Sequence, residues 1–181
     1  MNTANKITIL RIVLLPLLVL FLVKDETLFN WLALGIYLLA AATDWLDGYV
    51  ARTTNEVTTL GKLLDPVADK LLFTAALLPL VSRGEVADWM AILLLGREFL
   101  VSGLRSVASS EGVIISAGTM GKYKTGFSIT ALAMLIVGGW FTLPGHLFLW
   151  LTLILSLVSG GQYFYCYRHH LVTSGSTPTD G

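Results

Sequence analysis

Six long apolar stretches constrain this chain more than any other feature of its sequence. A helix needs about 20 mostly apolar residues to cross the hydrocarbon core of a bilayer. Stretches of that kind, joined by short polar or glycine-containing connections, lie near residues 7–23, 28–53, 60–81, 87–109, 120–141 and 146–167. With 55% hydrophobic and 13% charged residues, the chain has too little polar surface for an ordinary soluble domain. We therefore predict an all-α integral membrane protein, a bundle of six transmembrane helices.

The short connections predict one membrane domain over residues 1–172, followed by a polar, disordered tail over 173–181. Basic residues concentrate at alternate ends of the spans, as in Lys6, Arg11, Arg52, Lys62, Lys122, Lys124 and Arg168. The positive-inside rule then places both termini and the second and fourth connections in the cytoplasm. The predicted location is the inner, cytoplasmic membrane, with a multi-pass chain whose site faces the cytoplasm.

The charge balance limits the partners of this chain. Twelve basic and twelve acidic residues leave no net charge to attract a nucleic acid, whereas membrane lipids are expected around the apolar spans. Paired glycines at 138–139 and 160–161 allow close helix contacts, including contacts between subunits. A homodimer is therefore one arrangement that the sequence allows without specifying it.

Four aspartates lie within or beside the predicted second and third spans. Because a carboxylate at membrane depth is costly, an ionisable residue in a span is a functional candidate. Asp44 and Asp47 are three residues apart and share a helix face, as do Asp65 and Asp69, which are four apart. The connection between the two spans is short, so an antiparallel hairpin can bring all four together. Carboxylate oxygens suit Mg²⁺ or Mn²⁺, and the cluster predicts a two-metal site.

The alternative is that these aspartates pair with Arg52, Lys62 and Lys70 as a solvated charge patch at the membrane surface. The neighbouring small residues favour the metal site. Gly48 and Ala51 remove side-chain bulk beside the carboxylates, which lets a ligand or a second backbone approach closely. Arg52 can hold a phosphate.

The spacing of these residues resembles the signature of the CDP-alcohol phosphotransferase family. The matching positions are Asp44, Asp47, Gly48, Ala51, Arg52, Gly61, Asp65 and Asp69, which cover twenty-six residues. The resemblance extends from Asn5 and Thr8 to the last span. Segments 96–105 and 121–125 are similar to the branch of the family whose acceptor is glycerol 3-phosphate. Ser128 departs from that branch, in which many members carry glutamine, and leaves the role of this position open.

The resemblance implies an enzyme that transfers the phosphatidyl group of CDP-diacylglycerol to an acceptor hydroxyl and releases CMP. The metal ligands that it implies are Asp44, Asp47, Asp65 and Asp69. Asp69 would also act as the general base toward the acceptor hydroxyl. The residues implied for binding the CDP-lipid are Asn5, Thr8, Gly48, Ala51, Arg52 and Gly61.

Glycerol 3-phosphate is a small dianion, so an enzyme that selects it must supply fixed positive charge. The candidates are Arg97, Arg105, Lys122 and Lys124. The arginines are eight residues apart, about two turns of one helix, and a guanidinium suits bidentate phosphate binding. Two alternatives stay open: the arginines pair with Glu98 or Glu111, and the lysines anchor the fifth span at the lipid headgroups.

Two competing functions follow from the same residues. Another acceptor would make the chain a phosphatidylinositol-phosphate, phosphatidylserine or cardiolipin synthase of the same family. A small transporter with an ion-binding carboxylate cluster is a rival of another class, but it predicts an internal repeat and broken helices that the sequence does not contain.

Dependence on divalent metal is the first testable expectation. Chelation should abolish transfer, and Asp44→Asn, Asp47→Asn and Asp65→Asn should each reduce turnover severely, since an amide is a weaker metal ligand of similar size. CMP release by the purified variants at saturating Mg²⁺ or Mn²⁺ measures the effect. Full turnover in metal-free buffer would contradict the metal site.

Overall fold

The structure is a computed structural model that describes the backbone of residues 3–54, 59–110 and 119–174 and the side chains of residues 8–43, 66–110 and 123–165. In the described part of the chain there are six α-helices and no strand. They are α1 (Thr3–Lys24), α2 (Thr27–Thr54), α3 (Thr59–Ser82), α4 (Asp88–Ser110), α5 (Thr119–Val137) and α6 (Thr142–Ser174), with a 3₁₀ turn at Gly139–Phe141 between the last two. The predicted all-α fold is confirmed.

The helix boundaries differ from the prediction chiefly around the last connection. Gly138 and Gly139 have φ angles of 71° and 59°, a left-handed conformation that ends α5 at Val137. Pro144 and Gly145 were expected to lie in the connection, but both belong to the first turn of α6. Proline is tolerated there because the first N–H groups of a helix have no intrahelical acceptor.

The bundle is held together by apolar contacts among all six helices. α5 lies along α6, α1 packs on α2 and α3, and α4 packs on α3 and α6. The core consists mainly of leucine and alanine, with buried residues such as Leu18, Leu77, Leu80, Leu135 and Leu149. Alanine at positions such as 33 and 76 allows the helix backbones to approach closely.

Arg83 fixes the end of the bundle where α1 and α3 finish and α2 begins. Its guanidinium donates to the carbonyl of Leu22 and, at 2.7 Å, to Asn30 Oδ1, and it forms an ion pair with Asp25 at 3.2 Å. Because the start of α2 thus lies beside the end of α3, these two contacting helices run antiparallel. Asp69 therefore lies toward the opposite end, on the side where α2 ends and α3 begins.

The outer surface of the bundle is apolar. Ile92, Leu100 and Leu143 are 69%, 75% and 73% exposed. Among the described residues, one helical stretch, Gly139–Tyr165, has both the length and the hydropathy needed to cross a membrane, while Thr27–Thr43 and Tyr123–Val137 are apolar but shorter. Membrane crossing by six helices, the orientation of the termini and the domain limits stay predictions.

A close contact between α5 and α6 gives a stability test. A Cβ added at Gly145 would lie 3.0 Å from Leu135 Cδ2 and 3.2 Å from Met134 Cβ, so Gly145→Ala should overpack this contact. The expected destabilisation is about 1 to 3 kcal/mol, read as a lower midpoint of thermal unfolding in detergent. Gly35→Ala in α2 is the control, since nothing lies within 4 Å of its added Cβ. Equal midpoints for the two variants would contradict the packing argument.

Candidate active site

A cavity of about 70 Å³, lined by apolar and charged side chains, lies between α2, α3, α4, α5 and α6. We call it the central cavity. Its lining includes Tyr37, Asp69, Lys70, Glu98, Lys124 and Ser128. Two carboxylates and two ammonium groups thus belong to side chains that line one space in an otherwise apolar bundle, which marks the cavity as the candidate active site.

Asp69 is supplied by α3, ten residues after that helix begins at Thr59. Its carboxylate is exposed at the central cavity and interacts electrostatically with Tyr37 and Lys124, which line the same space. The predicted general base and one predicted acceptor-binding residue are therefore brought together by the fold.

Glu98 of α4 connects two cations beside the cavity. Its Oε1 accepts a hydrogen bond from Arg97 Nη1 at 3.0 Å and another from Lys124 Nζ. The side chains of Arg97 and Lys124 are 11% and 12% exposed, and that of Glu98 is 24% exposed. Burial of such charges requires pairing, and here two cations share one carboxylate. The charged triad Arg97–Glu98–Lys124 therefore carries one net positive charge.

Arg97 is anchored on α6 rather than in the cavity. Its Nε donates to the carbonyl of Ser156 at 2.8 Å and its Nη2 to Ser159 Oγ at 2.6 Å. Together with Glu98, these acceptors engage the Nε, Nη1 and Nη2 atoms of the guanidinium. The structure contains the ion pair between Arg97 and Glu98 that the sequence offered as an alternative. A direct role of Arg97 in binding the acceptor phosphate stays a prediction.

Arg105 lies two turns further along α4 and also contacts α6. Its Nη2 donates to Tyr163 Oη at 3.0 Å, and its guanidinium carbon lies 5.3 Å from the centre of the Tyr163 ring. Arg105 is exposed and does not line the central cavity. Of the three predicted acceptor-site residues whose side chains are described, Lys124 alone lines this cavity.

Most of the predicted CDP-lipid and metal residues lie outside the described side chains. These are Asn5, Asp44, Asp47, Gly48, Ala51, Arg52, Gly61, Asp65 and, in the acceptor group, Lys122. The backbone places Asp44 and Asp47 in α2 and Asp65 in α3. Thr8 is described and is buried in α1 at 1% exposure, with a polar partner.

The predicted metal site is described only in part. The described side chains contain no group of three or more histidine, cysteine, aspartate or glutamate residues placed to hold a metal. Asp69 is the described member of the predicted ligand set; it lines the central cavity, and a carboxylate of this kind suits a divalent cation. Since α2 and α3 are antiparallel, the backbone places the other three aspartates toward the same end of the hairpin.

Several cavity and anchoring residues are not indicated as functional by the sequence patterns. Tyr37 and Thr152 appear in the sequence as ordinary members of apolar spans, and Glu98 appears only as a partner for arginine. A polar pattern in the last span could have pointed to the Arg97 contact. Ser156 and Ser159 are three residues apart on one helix face and precede Gly160, a combination of small polar residues typical of helix contacts.

The fold and the cavity together define an all-α protein with charged side chains around a cavity between its helices. The family model described as CDP-alcohol phosphatidyltransferase matches residues 1–158. The match covers most of the chain, which therefore belongs to the CDP-alcohol phosphatidyltransferase family. The family predicted from the aspartate spacing is confirmed.

Individual relatives cover nearly the whole chain. The chain is 37% identical to a CDP-diacylglycerol–glycerol-3-phosphate 3-phosphatidyltransferase of Rickettsia bellii and 38% identical to one of Bacillus subtilis, in each case over 90% of this chain and 93% of the relative. It is also 36% identical to a CMP-forming cardiolipin synthase of Oryza sativa, over 77% of this chain and 47% of that relative.

Proposed function

We propose that this protein transfers the phosphatidyl group of CDP-diacylglycerol to glycerol 3-phosphate, giving phosphatidylglycerophosphate and CMP. The observation that carries the proposal is the central cavity, where Asp69 and Lys124 face the same space beside a triad with one net positive charge. A carboxylate can accept the proton of an attacking hydroxyl, while a buried ammonium attracts the phosphate of the same small molecule. The names of the bacterial relatives support this choice of donor and acceptor.

The proposed setting is the inner membrane, crossed six times, with both termini and the site on the cytoplasmic side. The apolar outer surface of the bundle and the distribution of lysine and arginine support this arrangement. Glycerol 3-phosphate is water-soluble and CDP-diacylglycerol is a lipid, so a site between helices near the cytoplasmic surface is accessible to both.

Divalent metal ions, Mg²⁺ or Mn²⁺, are proposed to be held by Asp44, Asp47, Asp65 and Asp69. Bound there, they would neutralise the pyrophosphate and stabilise the charge on the departing CMP. Asn5, Thr8, Gly48, Ala51, Arg52 and Gly61 are proposed to bind the CDP-lipid. Asp69 is proposed to have the additional role of general base, which is supported by its position at the cavity that Lys124 also lines; it is the member of the aspartate set whose side chain is described.

The acceptor phosphate is proposed to bind Lys124 first, because its side chain reaches the cavity. Lys122 and Arg105 are proposed to add positive charge on the cytoplasmic side of the cavity, where it attracts the acceptor phosphate. Arg97 is proposed to add its positive charge indirectly, because Glu98 lies between it and Lys124. The net positive charge of the triad favours a dianion over a neutral hydroxyl compound. This electrostatic preference is the basis for choosing glycerol 3-phosphate over serine.

Acceptor competition tests the function itself. Purified protein with CDP-diacylglycerol and Mg²⁺ should release CMP when glycerol 3-phosphate is added, and much less with serine or inositol 1-phosphate. Phosphatidylglycerol is the fourth acceptor, because the match to a cardiolipin synthase makes it the second candidate. Preferential turnover with any acceptor other than glycerol 3-phosphate would overturn the proposal.

Removal of the cavity ammonium should weaken acceptor binding selectively. Lys124→Ala is expected to raise the KM for glycerol 3-phosphate about ten- to a hundredfold, the scale of one charged hydrogen bond, with little change in the KM for CDP-diacylglycerol. Lys24→Ala at the far end of α1 is the matched control. If Lys124 merely anchors α5, the purified variant will instead have normal kinetics and lower membrane insertion.

Removal of the proposed base should affect the rate rather than binding. Asp69→Asn is expected to lower kcat by about a hundredfold or more while the KM values change little, because a general base acts mainly in the transition state. Steady-state kinetics at saturating metal separate this effect from loss of metal affinity. A normal kcat in this variant would exclude Asp69 as the base.

A further inference from the structure

We propose that Glu98 is a positioning residue for the acceptor site and that α6 controls it through Arg97. In this arrangement Ser156, Ser159 and Gly160, which we call the α6 anchor, fix Arg97. Arg97 then orients Glu98, and Glu98 holds the Lys124 ammonium at the wall of the central cavity. The proposal rests on the proposed function, since it assigns Lys124 to the acceptor phosphate.

The α6 anchor leaves Arg97 little freedom. Three nitrogen atoms of the guanidinium are engaged, two on α6 and one on Glu98, at distances of 2.6 to 3.0 Å. A planar guanidinium bonded in three directions has its position and its orientation fixed together. The carboxylate of Glu98 is thereby tied to a helix that the sequence patterns do not connect with the site.

Gly160 makes the close approach of Arg97 to α6 possible. A Cβ at this position would lie 3.3 Å from both Cγ and Nε of Arg97 and 3.7 Å from Val101 Cγ2. The contact would fall on the stem of a side chain whose far end is already fixed. Arg97 would have to shift by a few tenths of an ångström, which would disturb its hydrogen bonds to Ser156 and Ser159.

Glu98 has two opposing electrostatic effects on a phosphate in the cavity. Its carboxylate repels the phosphate directly, yet it also holds Lys124, a long and flexible side chain, in a buried position facing Asp69. Without Glu98, the buried ammonium would lie beside the Arg97 guanidinium, and Asp69, the other carboxylate of the cavity that acts on it, would draw it away from its position at the cavity wall. The positioning effect outweighs the repulsion, because misplacement of a binding group by about 1 Å can cost a hundredfold in rate.

The neighbouring glycines of α6 provide a matched pair of variants. Gly160→Ala should raise the KM for glycerol 3-phosphate about three- to tenfold, with the KM for CDP-diacylglycerol changed less than about twofold. Gly161→Ala is the control, because nothing lies within 4 Å of its added Cβ while the gain in helix propensity is the same. Ser159→Ala removes the hydrogen-bond acceptor of Arg97 Nη2 with little change in volume, so it should raise the KM for glycerol 3-phosphate as Gly160→Ala does. It replaces Gly160→Ala in the test if that variant does not fold.

Glu98→Gln separates positioning from repulsion by the sign of its effect. The proposal expects the KM for glycerol 3-phosphate to rise about tenfold, because Lys124 loses the carboxylate that holds it at the cavity wall. If Glu98 only repels the acceptor, the same variant will have a lower KM. A lower KM in Glu98→Gln, or equal KM values in Gly160→Ala and Gly161→Ala, would overturn the inference.

The wild-type protein keeps this test distinct from that of the proposed function. Absence of CMP release with glycerol 3-phosphate in the wild type overturns the proposed function. Normal wild-type turnover with an unchanged acceptor KM in Gly160→Ala, Ser159→Ala and Glu98→Gln overturns the positioning role alone. If the variants of the α6 anchor have a lower midpoint of thermal unfolding but unchanged KM values, the α6 anchor contributes only to stability. The positioning role is then overturned as well.

Discussion

Charge inside an apolar bundle is the constraint on which the rest of this structure depends. An ammonium or guanidinium surrounded by leucine is stable only when carboxylates or carbonyls pair with it. The bundle meets this requirement by sharing Glu98 between Arg97 and Lys124 and by directing the remaining Arg97 donors to α6. Helix packing and the arrangement of the site therefore depend on the same contacts. The groups that pair with the two cations also hold α4, α5 and α6 next to one another.

The helices were predictable because their determinants are local. Apolar runs, interrupted by polar or glycine-rich connections, are visible in sequence without knowledge of the fold, and each of the six predicted apolar stretches overlaps one of the six described helices. The start of α6 was not predicted. Proline and glycine at 144 and 145 resemble a turn, and only the left-handed glycines at 138 and 139 show that the chain had already turned.

Site residues were predictable from sequence where the residue type alone indicates the chemistry. They were not predictable where the role of a side chain depends on which residues it pairs with in the fold. Asp69 and Lys124 stand out as charges in apolar spans, and the fold brings both to one cavity. Arg97 stands out for the same reason, but a sequence does not reveal which acceptors surround a guanidinium. Ser156 and Ser159 are fifty-nine and sixty-two residues away in the chain, so their contacts depend on how α4 packs on α6.

The two ends of the bundle use arginine in opposite ways. At one end Arg83 joins three polar partners across the α1–α2 and α3–α4 turns, while its buried Nε has no hydrogen-bond partner in the described part of the chain. At the other end Arg97 donates to α6 and Glu98, but Lys124 faces a cavity of about 70 Å³ that it shares with Asp69. The Arg83 contacts tie the helices together at one end, and at the other end a cavity is left between charged side chains of α3, α4 and α5. Under the proposed function, this cavity would receive the acceptor between the proposed base and the proposed phosphate-binding cation.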